Sequence, residues 1–86
     1  GSGSVTMYPN PNHGDQLFIN ITEVHADVVT VDIYDLTGKR VSARTIQIQD
    51  GFVNSAMDAH SIANGLYMVH ITAGEKTFTE RLVIQK

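Results

Sequence analysis

The sequence predicts an all-β domain, an antiparallel β-sandwich of about six or seven short strands. Three observations lead there. Apolar residues alternate with polar ones at the two-residue strand period, turn signals built on Gly, Asn and Asp separate the alternating runs, and no segment sustains a helical period.

The elements follow in chain order. Residues 1–6 open with Gly1-Ser2-Gly3-Ser4 and read as a flexible linker or cloning scar, so the domain is taken as 7–86. Both prolines of the chain then fall in Tyr8-Pro9-Asn10-Pro11-Asn12-His13-Gly14. Each proline fixes its own φ and drives Tyr8 and Asn10 toward extended geometry. Asn10 can close an Asx turn, and Gly14 can take a positive φ, which makes the stretch a clamp ahead of the first strand.

Leu17, Ile19 and Ile21 share one strand face, and Val29, Val31 and Ile33 share another with Asp32 opposite. Asp35-Leu36-Thr37-Gly38-Lys39 is a turn signal, after which alternation resumes at Val41 and Ala43 as the second arm of a hairpin. Ile46 and Ile48 are out of phase with Val41 and Ala43, so a bulge is expected near Arg44-Thr45. A strand from Phe52 to Met57 precedes Asp58–Gly65, where Asp58 is expected to cap a short helical turn ended by Gly65 while Ile62 plugs the core. Leu66–Thr72 and Lys76–Ile84 are strand arms around Ala73-Gly74-Glu75.

Composition narrows the function. Eighty-six residues with 42% hydrophobic and 17% charged side chains describe one small folded domain with a thin core. Six Lys/Arg against nine Asp/Glu supply no basic patch, so nucleic acid is not an expected partner. The chain has no cysteine, which removes disulfides and thiolate metal sites. No apolar run approaches the ~20 residues of a membrane-spanning helix. The N-terminus carries no signal segment, so export of this domain would rely on sequence upstream of it.

The residues that could carry chemistry read structurally. His13, His25 and His60 fall in expected turns and His70 in a strand, and no two have metal-ligand spacing. Asp58-x-His60 is the nearest approach to an acid/base unit and reads as a capping carboxylate beside a solvated ring. His70 reads as a partly buried ring at the sheet surface. Ser42, Ser55 and Ser61 lack a nucleophile elbow, and Asp32 and Asp35 lie on opposite strand faces. Asn20-Ile21-Thr22 matches a glycosylation triplet at a strand end. Gly38-Lys39 and Asn64-Gly65 are turns in which glycine supplies a special backbone angle. Tyr67 is expected to fill the core with its ring and keep its hydroxyl at the rim, with Phe18 and Tyr34 turned outward. No catalytic, metal or cofactor-binding residue is assigned, and the chain reads as no enzyme.

The punctuation nevertheless forms an ordered series: Tyr8-Pro9-Asn10-Pro11 with Gly14, Val31–Asp35 leading to Gly38-Lys39 and Val41, Ile62-x-x-Gly65-x-Tyr67, and a basic end at Lys86. This series resembles the C-terminal sorting domain of the type IX secretion system, type A, from Met7 to Lys86. The resemblance implies an Ig-like sandwich that is a non-catalytic address without a cofactor. It implies an N-terminal cargo domain, passage through the periplasm and the outer-membrane translocon, and removal by a surface peptidase near Gly3–Met7 with attachment of the cargo at the cell surface. The sorting-motif positions are then Pro9, Asn10, Pro11, Gly14, Gly38, Lys39, Gly65, Tyr67 and Lys86. The terminal strand with Phe78, Leu82, Val83 and Ile84, if at a sheet edge, offers backbone groups for strand addition by a receptor or, weakly, by a second copy. An adhesive or carbohydrate-binding sandwich is the alternative reading.

Overall fold

The computed structural model describes residues 4–48 and 50–86. It has seven strands: β1 (Val5–Tyr8), β2 (Gln16–Ile21), β3 (Val28–Tyr34), β4 (Arg40–Gln47), β5 (Val53–Asp58), β6 (Gly65–Ala73) and β7 (Lys76–Ile84). They form two antiparallel sheets, ordered β1-β2-β5 and β4-β3-β6-β7, packed face to face. This is the antiparallel sandwich that the alternation predicts, of the Ig-like kind that the resemblance implies.

The period-2 pattern explains the packing. Leu17, Ile19 and Ile21 of β2 face Val29, Val31 and Ile33 of β3 and Val69 and Ile71 of β6, all buried at 2% exposure or less. Leu82 and Ile84 from β7, Val53 and Met57 from β5, and Ile62 from a loop complete the core. Each fully buried aliphatic side chain stabilises the fold by about 1.5–3 kcal/mol, so the central strands hold the sheets together.

Three local expectations are corrected. A first strand begins at Val5, inside the stretch read as linker; four residues, alternately half-buried and exposed, are too few to announce a period. The part of that linker before Ser4 lies outside the described residues. The bulge sits at Val41 and not at Arg44-Thr45, because Ile33 pairs with Ser42 and Tyr34 with Arg40. Ser42, Arg44 and Ile46 therefore share the inner face, and Val41 was a misleading phase marker. Asp58–Gly65 forms turns and no helix: Asp58 Oδ1 accepts the His60 amide at 2.9 Å, and the Ile62 amide donates to the Ala59 carbonyl at 3.1 Å. Ile62 is buried as expected.

Antiparallel pairing sorts the loops into two groups. The β1–β2, β3–β4 and β5–β6 connections gather at one end of the sandwich with the last residues of β7. The start of β1 lies at the other end, where Thr22 N–H donates to the Ser4 carbonyl. Cross-strand pairs share a face, so Arg44, opposite Val31, and Glu80, opposite Val69, both stand on the core-facing side of the four-stranded sheet. Both occupy edge strands that three strands on the other side cannot fully cover. Arg44 is exposed and Glu80 half-buried.

Candidate functional site

The most heavily bonded region outside the ladders is the end where the β1–β2 loop meets the tail of β7. Both X–Pro bonds of the loop, Tyr8-Pro9 and Asn10-Pro11, are cis. Asn10 uses its side-chain amide as a strand would use its backbone: Nδ2 donates to the Arg81 carbonyl at 2.6 Å, and Oδ1 accepts the Val83 amide at 3.0 Å. Asn12 continues the stitch with its backbone, donating to Val83 O at 2.7 Å and accepting from Gln85 N at 2.8 Å in a parallel bridge.

Asn12 is the one buried polar residue among the described residues, at 0% exposure. Its Oδ1 accepts from the amides of Gly14 at 2.8 Å and Asp15 at 3.2 Å, and its Nδ2 donates to the carbonyls of Gln16 at 3.0 Å and Pro9 at 3.4 Å. Every polar group of the residue is satisfied, which makes its burial tolerable. The loop is thus folded around one side chain. Local pattern assigned Asn12 no role of its own, because the strand that buries it, β7, lies some 70 positions away and leaves no signature nearby.

Lys86 closes the end. Its amide donates to Asn64 Oδ1 and its Nζ to the His60 carbonyl, both at 2.9 Å, while its stem crosses Gly14. Gly14 has φ +82°, an angle that favours glycine, and a Cβ there would lie 2.7 Å from Lys86 Cε, so any other residue would also push the lysine stem aside. His13 Nδ1 donates to the Gln85 carbonyl at 3.0 Å. In the neighbouring loop, Tyr67 packs its ring in the core and donates its hydroxyl to the Ala63 carbonyl at 2.6 Å, the rim placement expected for it. Gly65 lies against that ring.

Seven of the nine motif positions, Pro9, Asn10, Pro11, Gly14, Gly65, Tyr67 and Lys86, therefore belong to adjoining parts of one assembly. Gly38 and Lys39 sit at the same end in the β3–β4 turn. There Asp35 Oδ1 accepts from the Thr37 hydroxyl at 2.6 Å, the Thr37 amide at 2.9 Å and the Lys39 amide at 3.0 Å. These bonds, the Thr37 hydroxyl first, hold the Asp35 carboxyl below its ordinary range. Gly38, at φ +89°, lets the turn close.

The terminal strand is an edge of the four-stranded sheet. Leu82 and Ile84 point into the core, and Phe78 and Val83 are half-buried. Arg81, Val83 and Gln85 turn backbone groups outward and are taken up by Asn10 and Asn12; by strand alternation Thr77 and Thr79 also face outward. Among the described residues no loop covers those two. Backbone for strand addition on β7 is therefore confined to its first half.

Elsewhere, His70 is exposed, not partly buried, and meets Tyr34 edge-on at 5.3 Å on the outer sheet face. Together with Asp32, Leu36, Met68 and Thr72 they line a shallow groove of about 570 Å³. Phe18 is turned outward as expected and stacks on Tyr8 at 5.4 Å. Among the described residues, no cluster of three His, Asp or Glu has metal-binding geometry, and the four histidines are dispersed.

The most elaborate feature of the two-sheet sandwich is thus the hydrogen-bonded surface at one end. The model of the secretion system C-terminal sorting domain matches residues 6–85, and the chain belongs to that family, the sorting domains of type IX secretion. No curated protein matches the chain. Membership makes the domain a C-terminal sorting signal that works with the type IX machinery and directs export to the cell surface or beyond.

Proposed function

We propose that the stitched end of the sandwich is the surface that the type IX machinery reads on the folded domain, with the cargo carried from the opposite end. One observation supports the reading most: the motif residues gather at the end away from Ser4, so a cargo joined ahead of β1 would leave that surface clear. The domain is a non-catalytic address. It crosses the periplasm with its N-terminal cargo, engages the outer-membrane translocon, and is cut by a surface peptidase near Gly3–Met7, with the cargo joined to an anionic lipopolysaccharide. The test fuses the domain to a reporter in a type IX host and replaces Pro9 and Pro11 by Ala. Lost secretion with unchanged melting supports recognition at this end; a parallel fall in both assigns the prolines to structure alone.

A second reading has one observation in its favour, the exposed Tyr8–Phe18 pair on the outer face of the smaller sheet, which suits stacking against a sugar ring. Binding to a glycan array, lost in Phe18→Ala, would favour an adhesive role over the sorting role.

A further inference from the structure

The two sheets are unequal, three strands against four, and the shortfall lies on one flank. β5 sits beside β4, because a cleft of about 210 Å³ is lined by Ile46 and Gln47 of β4, Asp50 and Phe52 of the connection, and Val53 to Ser55 of β5, with Asp50 its one charged residue. The amide of Ala59 donates to Asp15 O, which fixes the alternation of the β2–β5 ladder. Asn54, Ala56 and Asp58 therefore turn their backbone N–H and C=O groups away from β2, and among the described residues no chain covers them. Across the cleft the inner face of β4 shows Ile46, with Arg44 two residues further along the same face, and Phe52 stands at the rim at 53% exposure.

We propose that this flank is a docking site for an extended segment of a partner protein, which adds to β5 as the fourth strand of the smaller sheet. Addition to β5 is favoured over addition to β4, because a strand on β5 lies beneath β4 and buries Ile46 and Phe52. A strand added to β4 would have no facing sheet. The β7 edge is half closed by Asn10 and Asn12.

Charge specifies the occupant. Arg44 is the one basic residue on the inner face of β4, beyond the cleft and toward the β3–β4 turn, while the acidic Asp50 lines the cleft near Ile46 and Gln47. Among the described residues the one ion pair is Arg40–Asp32, at 3.4 Å on the exposed surface, which leaves the inward Arg44 without a carboxylate partner. A segment running antiparallel to β5 meets the level of Arg44 first and that of Ile46 two residues later. Its inward pattern is accordingly a carboxylate, any residue, then a large aliphatic side chain for the cleft. The site is independent of the sorting end and lies on a different flank.

The experiment titrates the ¹⁵N-labelled chain with the capped peptide Thr-Glu-Thr-Leu-Thr-Thr. The expected result is saturable shifts of the Asn54 and Ala56 amides and of the Arg44 side chain. Arg44→Glu should weaken binding roughly ten-fold, about the size of a close charge pair, and a peptide with Lys in place of Glu should regain affinity for that variant. Four results would overturn the proposal: no saturable shift at these amides, shifts confined to Thr77 and Thr79, indifference to Arg44→Glu, or concentration-dependent shifts without peptide. The first would leave Arg44 as an inward charge that only guards the edge, and the last would make the occupant a second copy of the chain.

Discussion

The aliphatic stem of Lys86 lies across Gly14, so close that a methyl group on Gly14 would stand 2.7 Å from Cε. Lys86 is held there at both ends, by Asn64 and by the His60 carbonyl. Gly14→Ala is therefore expected to destabilise the domain by about 1–3 kcal/mol, through the left-handed backbone angle and the collision together. In a Lys86→Ala background the collision is gone and the cost should fall toward the backbone share of about 1–2 kcal/mol. Urea unfolding of the four chains checks this; a cost that does not change with residue 86 would show that the stem is not in the way.

Asn12 joins more partners than any other side chain at this end. Asn12→Ala leaves the amides of Gly14 and Asp15 and the carbonyl of Gln16 without their buried partner, and should cost about 2–4 kcal/mol. Asn12→Asp should cost at least as much, because the donors to Pro9 and Gln16 become an anion facing carbonyl oxygens. Thermal melting at neutral pH separates the two, and a melting temperature within 2 °C of wild type for either, roughly 0.5 kcal/mol, would contradict this role.

Asn10 is more exposed, so its loss should show in local opening before global stability. Asn10→Ala is expected to cost about 1 kcal/mol and to speed amide exchange at Val83. The uncovered edge should also raise the tendency to self-associate through β7. Light scattering over a concentration series, with Val83 exchange measured in parallel, tests both. Unchanged exchange would mean the side-chain bonds do not protect the strand.

Asp35 gives a pH signature. Its folded carboxyl titrates below the ordinary value, so its stabilising contribution is complete above the unfolded pKa of about 4 and is lost as pH falls through the folded value. The difference in stability between wild type and Asp35→Asn should therefore be constant from about pH 6 to 7 and shrink below about pH 4. A difference that holds steady down to pH 2 would assign the turn to geometry alone.

What the sequence made legible was local. The alternation of Leu17, Ile19 and Ile21 and of Val29, Val31 and Ile33 identified buried strand faces, because those positions see the core directly. Tyr67 with its neighbouring glycine was readable for the same reason, and ordered punctuation pointed to the family that the match to residues 6–85 establishes. Asn12 was not readable, since its partners on β7 adjoin it only once the sheets are packed. Nor was the half-closed β7 edge, which depends on an asparagine side chain substituting for a strand. Val41 misled for a further reason: an apolar residue at a bulge belongs to neither face of the pleat.

The stitch between Asn10 and Val83 spans 73 positions of sequence. Such a contact cannot form until Val83 itself has been made. A chain halted or clipped before Leu82 lacks two core side chains, the cover of Asn12 and the Lys86 closure at once. The end surface thus reports that β7 is intact, since it forms only when Arg81 to Lys86 have folded back onto the β1–β2 loop.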